Sequence, residues 1–407
     1  MRFCVNKKLS GPFPTMKRLS EWYNGNTLVK GGKGGVELTI TAKIKIHPTL
    51  AQVELLKETV SAYRESCNFV SAMVFESHQL SQATLHKATY HDLRSTYHLR
   101  SQMAQSVLKT VIAKYKTNQS NDVDWSLVVF KKPQYDLVFN RDYSLTKDLF
   151  SVNTLSGRIK VPFETKGMEP YFDGTWKFGT AKLVYKHGKW FLHIPITKDI
   201  TQVKDDAINQ VVGVDLGINF VATSYDSQGK TTFFKGRHIK HKRAKYKQTR
   251  KELQQKQTPS ARRRLLQMGQ RENRWMQDMN HCISKALVDQ YGEETLFTLE
   301  NLTGIRQATE KVRIKDRYQT VSWSFYDLRQ KLEYKSLMNQ SKVIAVDPKY
   351  TSQTCPTCGH TEKANRNKKK HIFCCRTCGY TSNDDRIGAI NLQRKGIEYI
   401  AGGTPQA

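Results

Sequence analysis

Residues 354–360 read T-C-P-T-C-G-H, and residues 373–392 read F-C-C-R-T-C-G-Y-T-S-N-D-D-R-I-G-A-I-N-L. Two Cys-x₂-Cys pairs, Cys355/Cys358 and Cys375/Cys378, stand sixteen residues apart. That is the ligand spacing of a four-thiolate zinc ribbon, and Gly359 and Gly379 permit the tight turn after each pair. Cys374 is an alternative to Cys375, but only Cys375 gives the two-residue spacing. A redox pair would not need four matched thiols. Four thiolates leave no open coordination position, so the expected zinc is structural rather than catalytic.

Directly behind the second pair come Asp384 and Asp385, followed by Ile387, Ala389, Ile390 and Leu392 at a spacing that suggests a helix. Two further acids close apolar runs: Asp215 ends V-V-G-V (211–214), and Glu300 ends L-F-T-L (296–299). Such runs read as buried strands that deliver a carboxylate to a sheet end. Singly, each acid is weak evidence. Asp215 could be a turn residue before Gly217, Glu300 could cap the next loop, and Asp384 competes with Asp385 for the third role. Brought together, carboxylates raise one another's pKa unless a cation joins them. All-oxygen ligands suit Mg²⁺ or Mn²⁺. Two such ions roughly 4 Å apart can activate water and stabilise the leaving oxygen of a phosphodiester.

Composition agrees with a polyanionic substrate. The chain has 407 residues, with 66 Lys and Arg against 36 Asp and Glu, a net charge of +30. It is long enough for two or three domains. Each phosphate neutralised by such a surface releases counterions and adds sequence-independent affinity. A ribosomal-type or membrane-surface protein is the competing reading. Residues 235–274 concentrate fifteen Lys and Arg against Glu252 and Glu272. This stretch reads as two helices broken at Thr258-Pro259-Ser260. It is too one-sided for an ordinary solvated face, so Lys240, Lys242, Arg243, Lys247, Arg262, Arg263 and Arg264 are expected to contact nucleic acid. Lys368, Lys369, Lys370 and His371, between the cysteine pairs, are expected to face it too.

No signal peptide or transmembrane span is legible, which suggests a cytoplasmic, nucleoid-associated prokaryotic protein without membrane partners. Residues 1–36 read as a flexible basic segment. Strand alternation over Glu37–Ile46 precedes a helix capped by Thr49, and further helices are expected over His86–Leu99 and Ser101–Tyr115. Asn118–Asp124 reads as a loop. Strands are expected at Leu127–Phe130, Arg158–Val161 and Lys182–Ile196, the last with a hairpin turn at Lys186-His187-Gly188-Lys189. This gives a β-barrel-like domain at 37–204 with a helical insert at about 49–125. A second domain, 205–407, alternates strands (211–215, 220–224, 295–300, 342–347) with helices (275–291, 323–338) and carries the ribbon at about 350–382.

The strings G-V-D-L-G-I-N, L-E-N-L, Y-T-S-Q-T-C-P-T-C-G-H and the 373–391 segment resemble the split RuvC nuclease and zinc ribbon of TnpB, the transposon-encoded OrfB proteins related to miniature type V CRISPR effectors. The resemblance implies an α+β multidomain fold: a wedge β-barrel with a helical recognition insert, then an RNase H-like RuvC domain with an inserted zinc ribbon. It implies Asp215, Glu300 and Asp385 as the magnesium-binding catalytic triad. It also implies a guide RNA copied from the transposon end, and cleavage of double-stranded target DNA beside a short motif; a protein monomeric with its RNA is one arrangement the sequence leaves open. By position it offers Ser101, Gln102, Gln105, Asn140, Arg141 and Tyr143 as motif readers. Asn and Gln can read adenine, and Arg can read guanine. One departure stands out: family members often show D-x-N-A-A after the last acid, whereas Asp385 is followed by R-I-G-A. A CRISPR-associated effector and a non-cleaving RNA-guided regulator are the rival readings.

Overall fold

The computed structural model describes residues 28–32, 35–132, 134–186, 188–269, 271–302 and 325–402. The chain divides into two compact units, one mainly residues 37–199 and the other mainly residues 200–407.

A short strand, β1 (Leu28–Gly32), which falls mostly with the second unit, precedes β2 (Gly35–Ile46), which lies mainly in the first. Part of the expected flexible segment is therefore strand, while residues 1–27 and 33–34 lie outside the described residues. Along β2, Leu38, Ile40, Ala42, Ile44 and Ile46 are buried, the period-two burial that their alternation with Thr and Lys dictates. Helix α1 (Leu50–Ser77) begins with a capping box: the Thr49 hydroxyl accepts from the Gln52 amide, and the Gln52 side chain accepts from the Thr49 amide. Helix α2 (Gln82–Ser95) starts earlier than its apolar pattern suggested, because the Ser81 hydroxyl accepts from the Thr84 N–H and fixes the N-terminus there. Helix α3 (Ser101–Ser120) runs on into the polar block expected to be loop.

Leu127–Phe130 is not a strand. Its backbone groups are satisfied by side chains of the helices instead. The Phe130 N–H donates to Asn68 Oδ1 at 2.7 Å, the Ser71 hydroxyl donates to the Val128 carbonyl at 2.6 Å, and the Val128 N–H donates to the Tyr115 hydroxyl at 3.3 Å. The remaining strands are β3 (Gln134–Leu137), β4 (Tyr143–Leu145), β5 (Leu149–Thr154), β6 (Gly157–Glu164), β7 (Lys177–Phe178), β8 (Ala181–Lys186) and β9 (Lys189–Ile200). They form a sheet in the order β3-β8-β9-β2-β6-β5-β4. The β8–β9 hairpin matches the sequence reading, although His187 of its turn lies outside the described residues.

The second unit is built on a five-stranded sheet of order β12-β11-β10-β13-β14, comprising β10 (Gln210–Asp215), β11 (Phe220–Tyr225), β12 (Thr231–Lys235), β13 (Thr295–Glu300) and β14 (Lys342–Val346). β10 to β12 run antiparallel, while β10, β13 and β14 are parallel. Parallel strands are buried on both faces, and Val211, Val212, Val214, Leu296, Phe297 and Leu299 form near-continuous apolar runs accordingly. On one face lie α6 (Arg271–Tyr291) and α7 (Phe325–Met338), which share a core with Val212, Val214, Phe297 and Leu299. Trp323, expected to open the latter helix, lies outside the described residues.

Helices α4 (Arg237–Lys256) and α5 (Pro259–Met268) make up the basic stretch, parted at Thr258, which caps α5. Lys235, expected in this helix, belongs to β12. α6 starts at Arg271 rather than Trp275. The C-terminal helix α8 (Asp384–Ile400) packs on the other face, with Leu392 against Val211, Leu296 and Ile344. Gly213 makes this possible, since a Cβ there would stand 2.0 Å from the Ala389 carbonyl oxygen. The cysteine ribbon carries three short strands, β15 (Arg366–Asn367), β16 (Ile372–Cys374) and β17 (Thr381–Asn383), and Phe373 packs on Ile387 and Ile390 of α8.

Candidate active site

Three elements converge on one place. β10 and β13 pair in parallel with Val214 opposite Leu299, so the next residues, Asp215 and Glu300, end neighbouring strands side by side. Asp385 sits in the first turn of α8, where the Asn383 side chain caps the helix by accepting from the N–H groups of Asp385 and Arg386 at 3.0 and 3.2 Å. α8 approaches so closely that a Cβ on Gly388 would lie 2.9 Å from Asp215 Cγ. Thus the glycine that departs from the family pattern stands directly against the Asp215 carboxylate.

Electrostatics set the character of this pocket. Burial raises the Asp215 carboxyl well above the usual carboxylate range, and Glu300 and Asp385 raise it further. Burial also raises Glu300, opposed by the Thr351 hydroxyl, which donates to Glu300 Oε1 at 2.5 Å, and by Arg366 and Lys395. Asp385 rises to about 6, mainly through burial and then Asp384. Three acids that resist ionising together are a set that a divalent cation would satisfy, and oxygen donors of this kind fit Mg²⁺ or Mn²⁺.

Two further residues, which the sequence did not single out for this site, join it. Arg366 of β15 donates from Nε to the fully buried Asp384 at 2.8 Å and from Nη1 to Ser352 at 2.8 Å, while Nη2 lies 3.9 Å from Asp385. His371 was expected to face nucleic acid. It is half-buried, with Nδ1 3.5 Å from Asp384 and Nε2 2.6 Å from Asn219 Nδ2. Candidate ligand atoms of His371, Asp384 and Asp385 lie within 4.8 Å of one another. Asp384 is engaged by Arg366, and Asp385 is the stronger electrostatic neighbour of Asp215. Lys368, Lys369 and Lys370 are exposed.

The four thiols also meet. Sγ atoms of Cys355, Cys358, Cys375 and Cys378 all lie within 4.8 Å, with Cys355–Cys378 at 3.6 Å and Cys358–Cys375 at 3.5 Å. Tetrahedral Zn–S bonds of about 2.3 Å place sulfurs about 3.8 Å apart, so the donor set fits zinc. The Cys378 N–H, pointing at Cys375 Sγ, helps lower that thiol to about 6. Cys374 is exposed and outside the cluster. Asn391 ties the ribbon to α8 by donating to the carbonyls of Thr351 and Thr354 at 2.7 and 2.8 Å.

Among the expected nucleic-acid contacts, Lys240, Lys242, Lys247, Arg262, Arg263 and Arg264 are exposed on α4 and α5. Lys242 also stacks over Trp275 at 4.4 Å. Arg243 is a correction: it is buried and ion-paired through Nε to Glu272 at 3.1 Å, binding α4 to α6 rather than facing a ligand. Tyr143 is a second correction. It is fully buried, and its hydroxyl donates to the Gly179 carbonyl at 2.8 Å. Ser101, Asn140 and Arg141 are exposed; Arg141 Nη1 donates to Gln102 Oε1 at 2.9 Å, and Gln105 accepts from Gln82 at 3.2 Å. No helix among the described residues is long and apolar enough to cross a membrane.

Two family models match the chain: the probable transposase family OrfB_IS605 over residues 193–303, and the Cas12f1-like TNB domain over residues 325–392. A CRISPR-associated endodeoxyribonuclease Cas12f1 of Sulfoacidibacillus thermotolerans is 28% identical over 362 residues, covering 79% of this chain and 83% of the relative. The putative RNA-guided DNA endonuclease InsQ of Escherichia coli strain K12 is 29% identical over 237 residues, covering 53% of this chain and 56% of the relative. Proteins described as TnpB-like are also among the matches. The structure of a Cas12f1–sgRNA–target DNA complex aligns with a TM-score of 0.52 at 15% identity, covering 84% of this chain and 82% of the other, which establishes a shared fold. Family models and relatives point the same way: the chain is similar to TnpB-like proteins and to the miniature type V effectors.

Proposed function

We propose that this chain is an RNA-guided DNA endonuclease that hydrolyses phosphodiester bonds at Asp215, Glu300 and Asp385. The observation that carries the reading is the placement of these three acids, two at adjacent parallel strand ends and one at a helix start, in a site where each holds its proton above the usual range. A net charge of +30 suits the nucleic-acid substrate, and the nuclease names of its relatives support the same class.

Asp215, Glu300 and Asp385 would hold Mg²⁺ or Mn²⁺. Bound there, a pair of such ions supplies an activated water and stabilises the leaving oxygen. The protein's own contribution is orientation. The Thr351 hydroxyl fixes one Glu300 oxygen, the Asn383 cap fixes the turn bearing Asp385, and the backbone of Gly388 leaves room for Asp215. Arg366 holds Asp384 out of the set and places positive charge beside Asp385. The four-cysteine ribbon, as a zinc site, supports this arrangement from beneath α8.

In this reading residues 37–204 are a wedge barrel with its helical insert, and residues 205–407 are a split RuvC domain. The guide RNA comes from the transposon end, and base pairing reads the target while the protein reads a short flanking motif. Ser101, Gln102, Gln105, Asn140 and Arg141 remain the motif candidates. Lys240, Lys242, Lys247 and Arg262–Arg264 track phosphates. The test is cleavage of a plasmid by purified protein with RNA from the flanking locus and Mg²⁺. Cutting that follows a changed guide supports the reading; tight RNA binding without cutting overturns it.

A further inference from the structure

The turn that leads from β14 into the cysteine ribbon, Asp347-Pro348-Lys349-Tyr350-Thr351, sets a buried residue and an exposed ring side by side. Thr351 is buried, and its hydroxyl donates to Glu300 Oε1 at 2.5 Å. Tyr350, the residue before it, is 50% exposed, and its hydroxyl makes no hydrogen bond among the described residues. Its φ is 66°, in the left-handed region that a residue with a bulky side chain rarely adopts. The turn holds it there: the Tyr350 carbonyl accepts from the N–H groups of Gln353 and Thr354 at 2.9 and 3.1 Å, and from the Thr354 hydroxyl at 3.1 Å. Such a conformation costs free energy and persists only where the surroundings fix it, and such positions cluster at functional sites.

The ring has cations around it. Lys349 is exposed, with Nζ 5.1 Å from the centroid of the Tyr350 ring. Lys395, on α8, donates to the Asp347 carbonyl at 2.7 Å and is among the groups that oppose the rise of the Glu300 carboxyl. Neither lysine has an ion-pair partner among the described residues. The carboxylate of the turn, Asp347, accepts from the Lys349 N–H at 2.9 Å. Cations beside a cluster of acids repel the divalent ions that the acids suit, and they favour a phosphate chain passing the site. A flat accessible ring next to free cations is the pairing that single-stranded nucleic acid requires.

From this geometry we infer that Tyr350 is a positioning residue, stacking the exposed part of its ring on a base of the DNA strand that enters the carboxylate site while Lys349 and Lys395 hold flanking phosphates. The inference rests on the nuclease reading for the identity of that strand. Consecutive Cα atoms stand about 3.8 Å apart, so a base on Tyr350 and a phosphate beside Glu300 belong to neighbouring nucleotides. Stacking tolerates any base, which suits a protein whose target is chosen by guide pairing.

The test uses the full chain with RNA from the flanking locus in magnesium-free buffer. The probes are single-stranded DNAs, guide-matched and guide-unrelated, carrying 2-aminopurine at one position at a time. Wild type should quench the fluorescence at a particular position, and the probe that shows it identifies the strand. Tyr350→Phe should keep the quench. Tyr350→Asn should abolish it, because asparagine tolerates the left-handed turn but has no ring. In guide-programmed cleavage with Mg²⁺, Tyr350→Asn should be about tenfold slower and Tyr350→Phe near wild type. Melting, zinc content and RNA affinity should be unchanged in both. The inference is overturned if no position shows a quench that depends on Tyr350, if Tyr350→Asn cuts at the wild-type rate, or if Tyr350→Phe is as impaired as Tyr350→Asn. Asp215→Ala should retain the quench, so the stack is read without any cutting and its failure is distinguishable from failure of the nuclease reading.

Discussion

Arg366, in the cysteine ribbon, pairs with buried Asp384 at 2.8 Å and brings its outer nitrogen within 3.9 Å of Asp385. One side chain thereby joins the ribbon to the first turn of α8, where two adjacent acids have different roles: Asp384 is neutralised by protein, and Asp385 is left for the site. Arg366→Ala leaves Asp384 buried without its partner, which should cost about 3 kcal/mol of stability. Adding Asp384→Asn should restore most of that loss. Urea unfolding of the single and double variants measures both, and a harmless single substitution would refute the clamp.

Gly388→Ala tests the closeness of helix and strand. The added methyl would lie 2.9 Å from Asp215 Cγ, so either the carboxylate or α8 must shift. Displacement on the order of 1 Å at a catalytic group can cost about 100-fold in rate. Cutting by Gly388→Ala should fall by about that factor with RNA affinity unchanged. An unimpaired rate would mean that Asp215 does not work from this position.

For pH, Asp385 in the metal-free protein has its carboxyl raised from 3.8 to about 6 by burial. The folded chain then binds more protons than the unfolded chain between those values, so this group's contribution to stability is present below about 4 and is lost as pH rises through about 6. Melting of metal-free protein should decline over that window, and Asp385→Asn should flatten the decline. The midpoint of Mg²⁺ binding should strengthen as pH rises through about 6. A binding curve independent of pH would contradict the assignment of Asp385 as a ligand.

Cys355→Ser should remove the metal and loosen the base of α8, since Cys355 and Phe373 pack on Ile387 and Ile390. Elemental analysis should find about one zinc per wild-type chain and a marked loss in the variant, with a lower melting temperature. Equal zinc content and melting would show that the thiols are not a structural metal site.

The parts legible in sequence were those governed by local pattern. Alternation along Leu38–Ile46, the Thr49–Gln52 cap, valine-rich runs ending in acids and the cysteine spacing all depend on residues near one another in the chain. The illegible parts depend on tertiary approach. Arg243 reads as one cation among fifteen until α6 brings Glu272 beside it. Tyr143 reads as a base reader until Gly179 takes its hydroxyl. His371 looks like the end of a lysine run until ribbon folding inserts it between Asn219 and Asp384. Leu127–Phe130 has strand composition, yet Asn68, Ser71 and Tyr115 supply the hydrogen bonds a neighbouring strand would have given.

The most direct test of the central claim compares wild type with Asp215→Ala in guide-programmed plasmid cleavage, using locus RNA, a target beside a randomised flank, and Mg²⁺. Wild type should cut only guide-matched targets with a restricted set of flanks, and Asp215→Ala should bind RNA equally while cutting at least about 1,000-fold more slowly. Guide-directed cutting retained by Asp215→Ala, or absent from wild type with RNA bound, would contradict the account.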